Sequence, residues 1–175
     1  MAIATQMTVE EYLRTSFRPD CEYVDGEVLD RNVGEVDHGW VQRALLFYVM
    51  SREKKLGVVI IQEQRLRVNS QHYRVPDLMI LEGAGKPKEQ IISSPPIVCI
   101  EVLSPKDRMS RMRRKVADYL AFGVRYVWVL DPKKKQALVF TATEDGRIAD
   151  DVLRTENPAI EIPLIAIFEE ISGQI

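Results

Sequence analysis

The stretch CIEVLSPKDRMSRMRRKVADYLAFGVRYVWVLDP, residues 99–132, predicts a strand, a helix and a second strand. It starts inside the apolar run IVCIEVLS and ends with the apolar run VRYVWVL. Between these runs, apolar residues recur at helical spacing from about Ser104 to Phe122. A helix that joins two apolar strands is typical of a sheet covered by helices. This stretch therefore predicts an α/β fold class.

The sequence before this stretch predicts a short helix, a hairpin, a longer helix and a strand pair. Thr8, followed by Glu11, forms a capping box that opens the short helix. CEYVDGEVLDR alternates polar and apolar residues around an Asp-Gly turn, which indicates a hairpin. Asp37 is placed to cap the longer helix, which is expected to close near Gly57. VVIIQEQRLRV and YRVPDLMIL, separated by NSQH, are rich in β-branched residues and predict two strands.

The rest of the sequence predicts one long connection and further strands. The connection is the polar segment EGAGKPKEQIISSPP, which precedes the stretch and is expected to be either mobile or functional. The turn DPKKK leads into the strand QALVFTA, and the tail IEIPLIAIFEEI is expected to add a closing apolar segment. The alternation of helices and strands favours a mixed α+β sheet with helices packed on it.

Length and charge exclude several classes of protein. The 175 residues suit a single domain, 1–175, and the net charge of −2 gives no global basic field. A nucleic-acid partner would therefore have to meet a local basic patch. The N-terminus has no signal-peptide pattern, and no apolar run reaches the length of a membrane span. We expect a soluble, cytoplasmic protein whose two cysteines, Cys21 and Cys99, form neither a disulfide framework nor a metal-ligand spacing.

Glu101 is the first candidate site residue, because it lies in a strand that is apolar on both faces. Strand alternation puts it on one face with Cys99 and Leu103, while Val102 lies on the other. A strand covered on both sides makes an ionised carboxylate costly unless a partner or a metal ion balances it.

Asp77 is a second acid on an apolar strand face. If its strand pairs antiparallel with that of Glu101 about a centre at residue 89, then Met79 faces Cys99 and Asp77 faces Glu101. Two carboxylates at that distance favour a raised pKa or a cation between them, and oxygen ligands suit Mg²⁺ or Mn²⁺. The alternative is that Pro76 and Asp77 form a strand entry, with the acid in water.

The helix after Glu101 offers a cation. Lys115 lies at the edge of an apolar stripe that includes Met112 and Tyr119, so its ammonium can reach the acids, although an exposed lysine fits equally well. The segment 106–115 carries six basic residues against one acid. Such a run can bind phosphates, although it can equally be a solvated helix face.

These features resemble the PD-(D/E)XK nuclease superfamily. The pattern is Pro76-Asp77, then Glu101 on the next strand, then a helix with Lys115. CEYVDGEVLDR, HGWVQRALL, VPDLMIL and the stretch quoted above resemble successive blocks of a large bacterial family of restriction endonucleases. The resemblance implies a restriction-endonuclease-like core, which is a central mixed β-sheet flanked by helices, and a nuclease that often acts as a homodimer.

The resemblance also implies roles for the site residues. Asp77, Glu101 and the carbonyl of Val102 would bind Mg²⁺, or Mn²⁺, and Lys115 would orient the water that attacks a DNA phosphodiester. The sequence departs from the plain motif at Leu103, where the superfamily places its lysine. A nuclease fold with little or no turnover, which acts as a nucleic-acid or protein binding module, is the alternative.

Three other polar residues are expected to be structural. Glu22 fits a further acid near the site or an outward carboxylate of the hairpin, and the second interpretation is favoured. His38 is interpreted as an exposed residue beside the helix cap, and His72 as part of a turn. A further alternative pairs Glu101 with an arginine of the segment 111–114 and makes it a purely structural acid.

Overall fold

The computed structural model describes residues 6–32 and 34–169 of the chain. The helices, in chain order, are α1 (Val9–Arg14), α2 (Val36–Met50), α3 (Glu53–Leu56), α4 (Met109–Phe122) and α5 (Leu164–Phe168). The strands are β1 (Glu22–Val24), β2 (Glu27–Leu29), β3 (Val58–Gln62), β4 (Leu66–Arg67), β5 (His72–Arg74), β6 (Leu78–Glu82), β7 (Val98–Val102), β8 (Tyr126–Asp131), β9 (Gln136–Phe140), β10 (Asp145–Ile148), β11 (Val152–Thr155) and β12 (Ile160–Pro163).

A six-stranded mixed sheet forms the centre of the fold, in the order β10-β9-β8-β7-β6-β3. β7 and β8 are parallel and joined by α4, whereas the other neighbours are antiparallel. The strand, helix and strand predicted from residues 99–132 are thus the crossover at the middle of the sheet. The predicted class, a mixed α+β sheet flanked by helices, is confirmed.

The two faces of the central sheet are covered by different helices. Ile100 and Val102 of β7 belong to a core cluster that includes buried residues of α2 and α5. Cys99 belongs to a second cluster, which includes Met112, Val116 and Tyr119 of α4. Because side chains alternate along a strand, Glu101 lies on the Cys99 side, beneath α4.

A smaller four-stranded sheet, β2-β1-β5-β4, lies beside the central one. Tyr12 of α1 packs there with Tyr23 and Tyr73, and these three rings form a separate core cluster. The capping box that begins α1 and the hairpin between β1 and β2 are both as predicted. Asp25 and Gly26 adopt positive φ angles, as a two-residue hairpin turn requires.

The chain passes from the small sheet to the central sheet between Arg74 and Leu78. The prediction that YRVPDLMIL forms one strand is therefore wrong, since β5 and β6 belong to different sheets. Pro76 lies at the break, where a residue without an N–H group interrupts no ladder hydrogen bond. Asp77 consequently lies at the junction of the two sheets, directly before β6.

The predicted register between β6 and β7 is confirmed. Met79 pairs with Cys99, and the neighbouring pairs of the ladder have the same centre. When this register is continued by one residue beyond Leu78, Asp77 lies opposite Glu101, directly before β6.

Three predicted boundaries are wrong. α2 begins at Val36, with no side-chain cap from Asp37, and ends at Met50, because Arg52 leaves helical geometry before α3. VVIIQEQRLRV is two strands, since Glu63 has a positive φ angle between β3 and β4. α4 begins at Met109, because a turn closed by the N–H of Asp107 and the carbonyl of Ser104 precedes it.

The last part of the described chain completes the core beneath α2. β11 and β12 form an antiparallel hairpin, and the predicted closing apolar segment contributes β12 and α5 to the larger core cluster. β10 and β11 were not predicted, and both are short. Among the described helices, none has the length and hydrophobicity needed to cross a membrane.

Candidate active site

Asp77 lies buried between the two sheets and is held from both sides. Its Oδ2 atom accepts a hydrogen bond from the N–H of Val102 at 2.8 Å, which ties it to the end of β7. Its Oδ1 atom accepts from Nη2 of Arg31 at 2.8 Å, and Nε2 of His38 lies 3.6 Å from the same oxygen. The expectation that Asp77 faces the strand of Glu101 is met, and its interpretation as a solvated strand entry is wrong.

Glu101 is only 3% exposed and has two partners on α4. Lys115 Nζ donates to Oε2 at 2.8 Å, and the hydroxyl of Tyr119 donates to Oε1 at 2.7 Å. These two residues are four apart on the helix, so their side chains leave the same face and meet one strand residue.

Lys115 is the cation that joins the acids. It is 8% exposed and lies on the buried stripe with Met112 and Tyr119, as its position in the sequence suggested. Its ammonium also lies 3.0 Å from Oε1 of Glu22, so it bridges two buried carboxylates. The interpretation of Lys115 as an exposed surface lysine is wrong.

Glu22 is a buried member of this cluster, and its interpretation as an outward hairpin carboxylate is wrong. Besides Lys115, it accepts hydrogen bonds from Arg74 Nη1 at 2.9 Å and from the N–H of Val75 at 3.2 Å. β1 points it inward because the small sheet packs against the central one. Only this packing distinguishes Glu22 from an exposed hairpin acid, so no local sequence signal would have found it.

The ion pairs continue outward from Glu22 to the surface. Arg74 also contacts Asp118 of α4 at 2.7 Å. Nδ1 of the His72 ring lies 3.1 Å from Oδ2 of the same Asp118. The other ring nitrogen of His72 lies 3.0 Å from Asp25. The prediction that His72 lies in a turn is wrong, since His72 begins β5. The network links the hairpin, β5 and α4.

A cavity of about 40 Å³ opens beside these residues. Its walls include Glu22, Arg31, His38, Asp77, Glu101, Ser104, Asp107, Arg111 and Lys115. His38 is not the exposed residue that was expected, because its Nδ1 contacts the hydroxyl of Ser104 at 3.2 Å and its ring faces Asp77. The first turn of α2 therefore contributes to the site.

Comparison with known proteins identifies the family. A family model described as "Uma2: Putative restriction endonuclease" matches residues 9–168. The chain belongs to the Uma2 family. This agrees with the resemblance to nucleases found in the sequence.

One solved structure similar to this Uma2 protein is the crystal structure of "a putative nuclease belonging to DUF820" from Anabaena variabilis. The two chains are 20% identical, with a TM-score of 0.83, and the match covers 94% of this chain and 99% of the other. At this identity the comparison shows a shared fold. A search of curated proteins finds no match to this Uma2 chain.

The three acids of this Uma2 protein differ in their pKa. Burial acts to raise the pKa of Asp77, but His38, Lys115 and the N–H of Val102 outweigh it and lower the pKa. Burial likewise opposes ionisation of Glu22, but Lys115 and Arg74 lower its pKa. Glu101 is different, because burial dominates and raises its pKa to about 7 in spite of Lys115. Two of the acids are therefore ionised at neutral pH, whereas Glu101 titrates there.

The raised pKa of Glu101 predicts how stability depends on pH. Between pH 4.5 and about 7, the folded chain keeps a proton that the unfolded chain releases, so the free energy of unfolding falls as pH rises through this window. As pH rises from 5 to 7.5, we expect the free energy of unfolding of Glu101→Gln to increase by about 1–3 kcal/mol relative to that of the wild type. Urea unfolding of both proteins at several pH values measures this difference. A difference that stays constant with pH would contradict the raised pKa.

The donors of the Uma2 site fit a hard divalent ion in their chemistry. Asp77, Glu101 and the Val102 backbone offer oxygen atoms, and the cavity has room for an ion with one or two waters. Within residues 6–32 and 34–169, however, no group of three or more His, Cys, Asp or Glu side chains is arranged to hold a metal ion. The carboxylate oxygens of Asp77 and Glu101 accept hydrogen bonds from other groups of the protein instead.

Two further expectations concern the neighbours of Glu101. The alternative that pairs it with an arginine of the segment 111–114 is wrong, since Arg111 donates to the carbonyl of Asp30 and Arg113 pairs with Asp145. Leu103 is half-buried and packs against the cluster beneath α4. The positive charge beside Glu101 therefore comes from Lys115 of α4, and not from residue 103, which is a leucine.

Proposed function

We propose that this protein is a Mg²⁺-dependent endonuclease, also active with Mn²⁺, that hydrolyses phosphodiester bonds of DNA. The observation that carries this proposal is the meeting of Asp77, Glu101 and Lys115 at one cavity, from three different elements. Membership of a family described as restriction endonucleases supports the same reaction.

Asp77, Glu101 and the carbonyl of Val102 would hold the ion. The hydrogen bond from the N–H of Val102 to Asp77 keeps this backbone segment beside the carboxylate. The chemistry that a bound Mg²⁺ supplies is activation of water and neutralisation of charge on the phosphate.

Lys115 takes the role of the lysine that the simplest motif would place at residue 103. Glu22 and Glu101 raise the pKa of Lys115 although burial opposes its charge, so it stays an ammonium. A fixed ammonium orients water and stabilises the negative charge that develops on the phosphate. Glu22 acts as a positioning residue, because it holds the Lys115 ammonium together with Glu101.

The start of α4 would bind the DNA backbone. Arg111 lines the cavity, and Lys106, Arg108 and Arg114 of the same basic segment are exposed. Exposed cations that lie close together in the chain favour contact with successive phosphates, which needs no global positive charge.

DNA cleavage with defined metals tests this proposal. We expect the protein to cut duplex DNA with Mg²⁺ or Mn²⁺ and to stop when EDTA removes the metal, since water activation depends on the ion. Gel electrophoresis of a plasmid measures nicking and linearisation. Cleavage that continues at full rate in EDTA would contradict metal dependence.

A second candidate function is a binding module with the nuclease fold and little or no turnover. It is favoured by the hydrogen bonds that Asp77 and Glu101 accept from Arg31 and Lys115, and by Leu103 at the usual lysine position. Binding of a DNA duplex in the presence of Mg²⁺, with no product over long incubation, would support it over the nuclease.

The proposal includes a single domain, 1–175, that acts in the cytoplasm as a homodimer. α2 supports self-association, because Val36, Phe47 and Met50 expose apolar side chains on the helix surface away from the core. An exposed apolar helix face is typical of protein interfaces.

A further inference from the structure

Arg31 closes the cavity from the loop between β2 and α2. Its Nη2 atom lies 2.8 Å from Oδ1 of Asp77, and its side chain is 12% exposed. The same nitrogen lies 3.6 Å from Oε1 of Glu63, whose side chain is 51% exposed. The guanidinium thus stands between a buried acid of the candidate site and an acid that faces solvent.

Arg31 holds Oδ1 of Asp77, one of the two oxygens that could bind a metal ion. The other oxygen, Oδ2, accepts the N–H of Val102, a hydrogen bond that belongs to the end of the central sheet. Nε2 of His38 lies 3.6 Å from the same oxygen, a longer contact than that of Arg31. A divalent ion on Oδ1 would therefore lie in contact with the guanidinium.

The charge on Arg31 sets it in competition with a divalent ion. Burial opposes this charge, but the carboxylates of Asp77 and Glu63 outweigh burial and raise the pKa of Arg31. A guanidinium and a divalent ion repel each other, so Asp77 binds an ion more weakly while the guanidinium stays in contact with it.

Two contacts hold residues 30–32 beside the cavity. The carbonyl of Asp30 accepts a hydrogen bond from Arg111, and the amide of Asn32 donates to Asp107. Both partners belong to the basic segment that begins α4 or to the turn before it. The two sequence neighbours of Arg31 are thus anchored to the segment proposed to bind DNA.

We infer that Arg31 is a gate for metal binding: it competes with a divalent ion for Asp77 and moves to Glu63 when the ion binds. This inference rests on the proposed function, since it concerns the same metal. The apparent metal affinity falls by the fraction of chains in which Asp77 is free. If Arg31 leaves Asp77 in about a tenth of the chains, removing Arg31 tightens metal binding about tenfold.

Calorimetric titration of Mn²⁺ alone into the full chain tests the gate without measuring activity. We expect Arg31→Gln to bind Mn²⁺ about tenfold more tightly than the wild type. Arg67→Gln, which removes the same charge from an exposed position on β4, is the matched control and is expected to bind like the wild type. Thermal unfolding checks that each variant is folded.

Glu63→Gln supplies a second, independent test. It removes the acid that would receive the released guanidinium, so we expect weaker Mn²⁺ binding, and its exposed position makes unfolding of the variant a small risk. If Arg31→Gln fails to fold, an unchanged affinity in Glu63→Gln overturns the gate.

The outcomes separate the gate from the proposed function. Equal Mn²⁺ affinity in the wild type and Arg31→Gln, with binding lost in Asp77→Asn, overturns the gate and leaves the metal-dependent nuclease standing. No Mn²⁺ binding in either the wild type or folded Arg31→Gln overturns both.

Discussion

Asp77→Asn is expected to lower DNA cleavage by a factor of about 10² to 10³ or more, because it removes a negative charge at the point where the proposed metal binds. The side chains of Asp and Asn have nearly the same shape, and the asparagine carbonyl can still accept the N–H of Val102. The asparagine amide replaces the oxygen that accepts from Arg31, so some stability is lost as well, and the rate of cleavage is compared on protein shown to be folded. Initial rates on plasmid DNA with Mg²⁺, beside thermal unfolding of both proteins, measure it.

Asp150→Asn is the matched control for this variant. Asp150 is exposed and lies outside the candidate site, so its replacement should leave cleavage unchanged. Purification of the two variants in parallel with the wild type also detects a contaminating nuclease. Cleavage at the wild-type rate by Asp77→Asn would show that the reaction does not use this carboxylate.

The parts of the site that were predictable follow from local periodicity. A period of two sets the face on which Glu101 lies, and the register about residue 89 brings Asp77 to the opposite strand. A helical period sets Lys115 on the buried stripe of α4. Each of these inferences needs only the direction of a side chain along one element, and the order of three consecutive elements.

The parts that were missed depend on packing between distant elements. Glu22 and His38 enter the site only because the small sheet and α2 pack against the ends of β6 and β7. Arg31 lies in a loop, where no periodicity sets the direction of a side chain. The break at Pro76 was also missed, because YRVPDLMIL has the composition of one strand although it spans two sheets. Long-range packing of this kind leaves no pattern in a single sequence.

Lys115→Met is expected to have the second large effect, a loss of about 3–5 kcal/mol in the free energy of unfolding. The substitution removes the ammonium between Glu22 and Glu101 and leaves two buried carboxylates with less charge to balance them. Such a loss is a large fraction of the stability of an ordinary domain, about 5–15 kcal/mol. The loss caused by Lys115→Met should be smaller at pH 5 than at pH 8, because the carboxylates can take up protons at pH 5. Urea unfolding at both pH values measures it, and Lys55→Met, at an exposed position in α3, is the control.

The structural and chemical roles of Lys115 can be separated by removing the charges that it balances. In the triple variant Glu22→Gln, Glu101→Gln, Lys115→Met, no unbalanced charge remains at these three positions, so much of the stability should return. Cleavage should not return, because the proposed metal ligand Glu101 and the ammonium are both gone. If the triple variant is no more stable than Lys115→Met at pH 8, then the loss arises from packing of the lysine stem rather than from the buried acids. The pH dependence gives an independent answer, since a packing loss would be the same at pH 5 and pH 8.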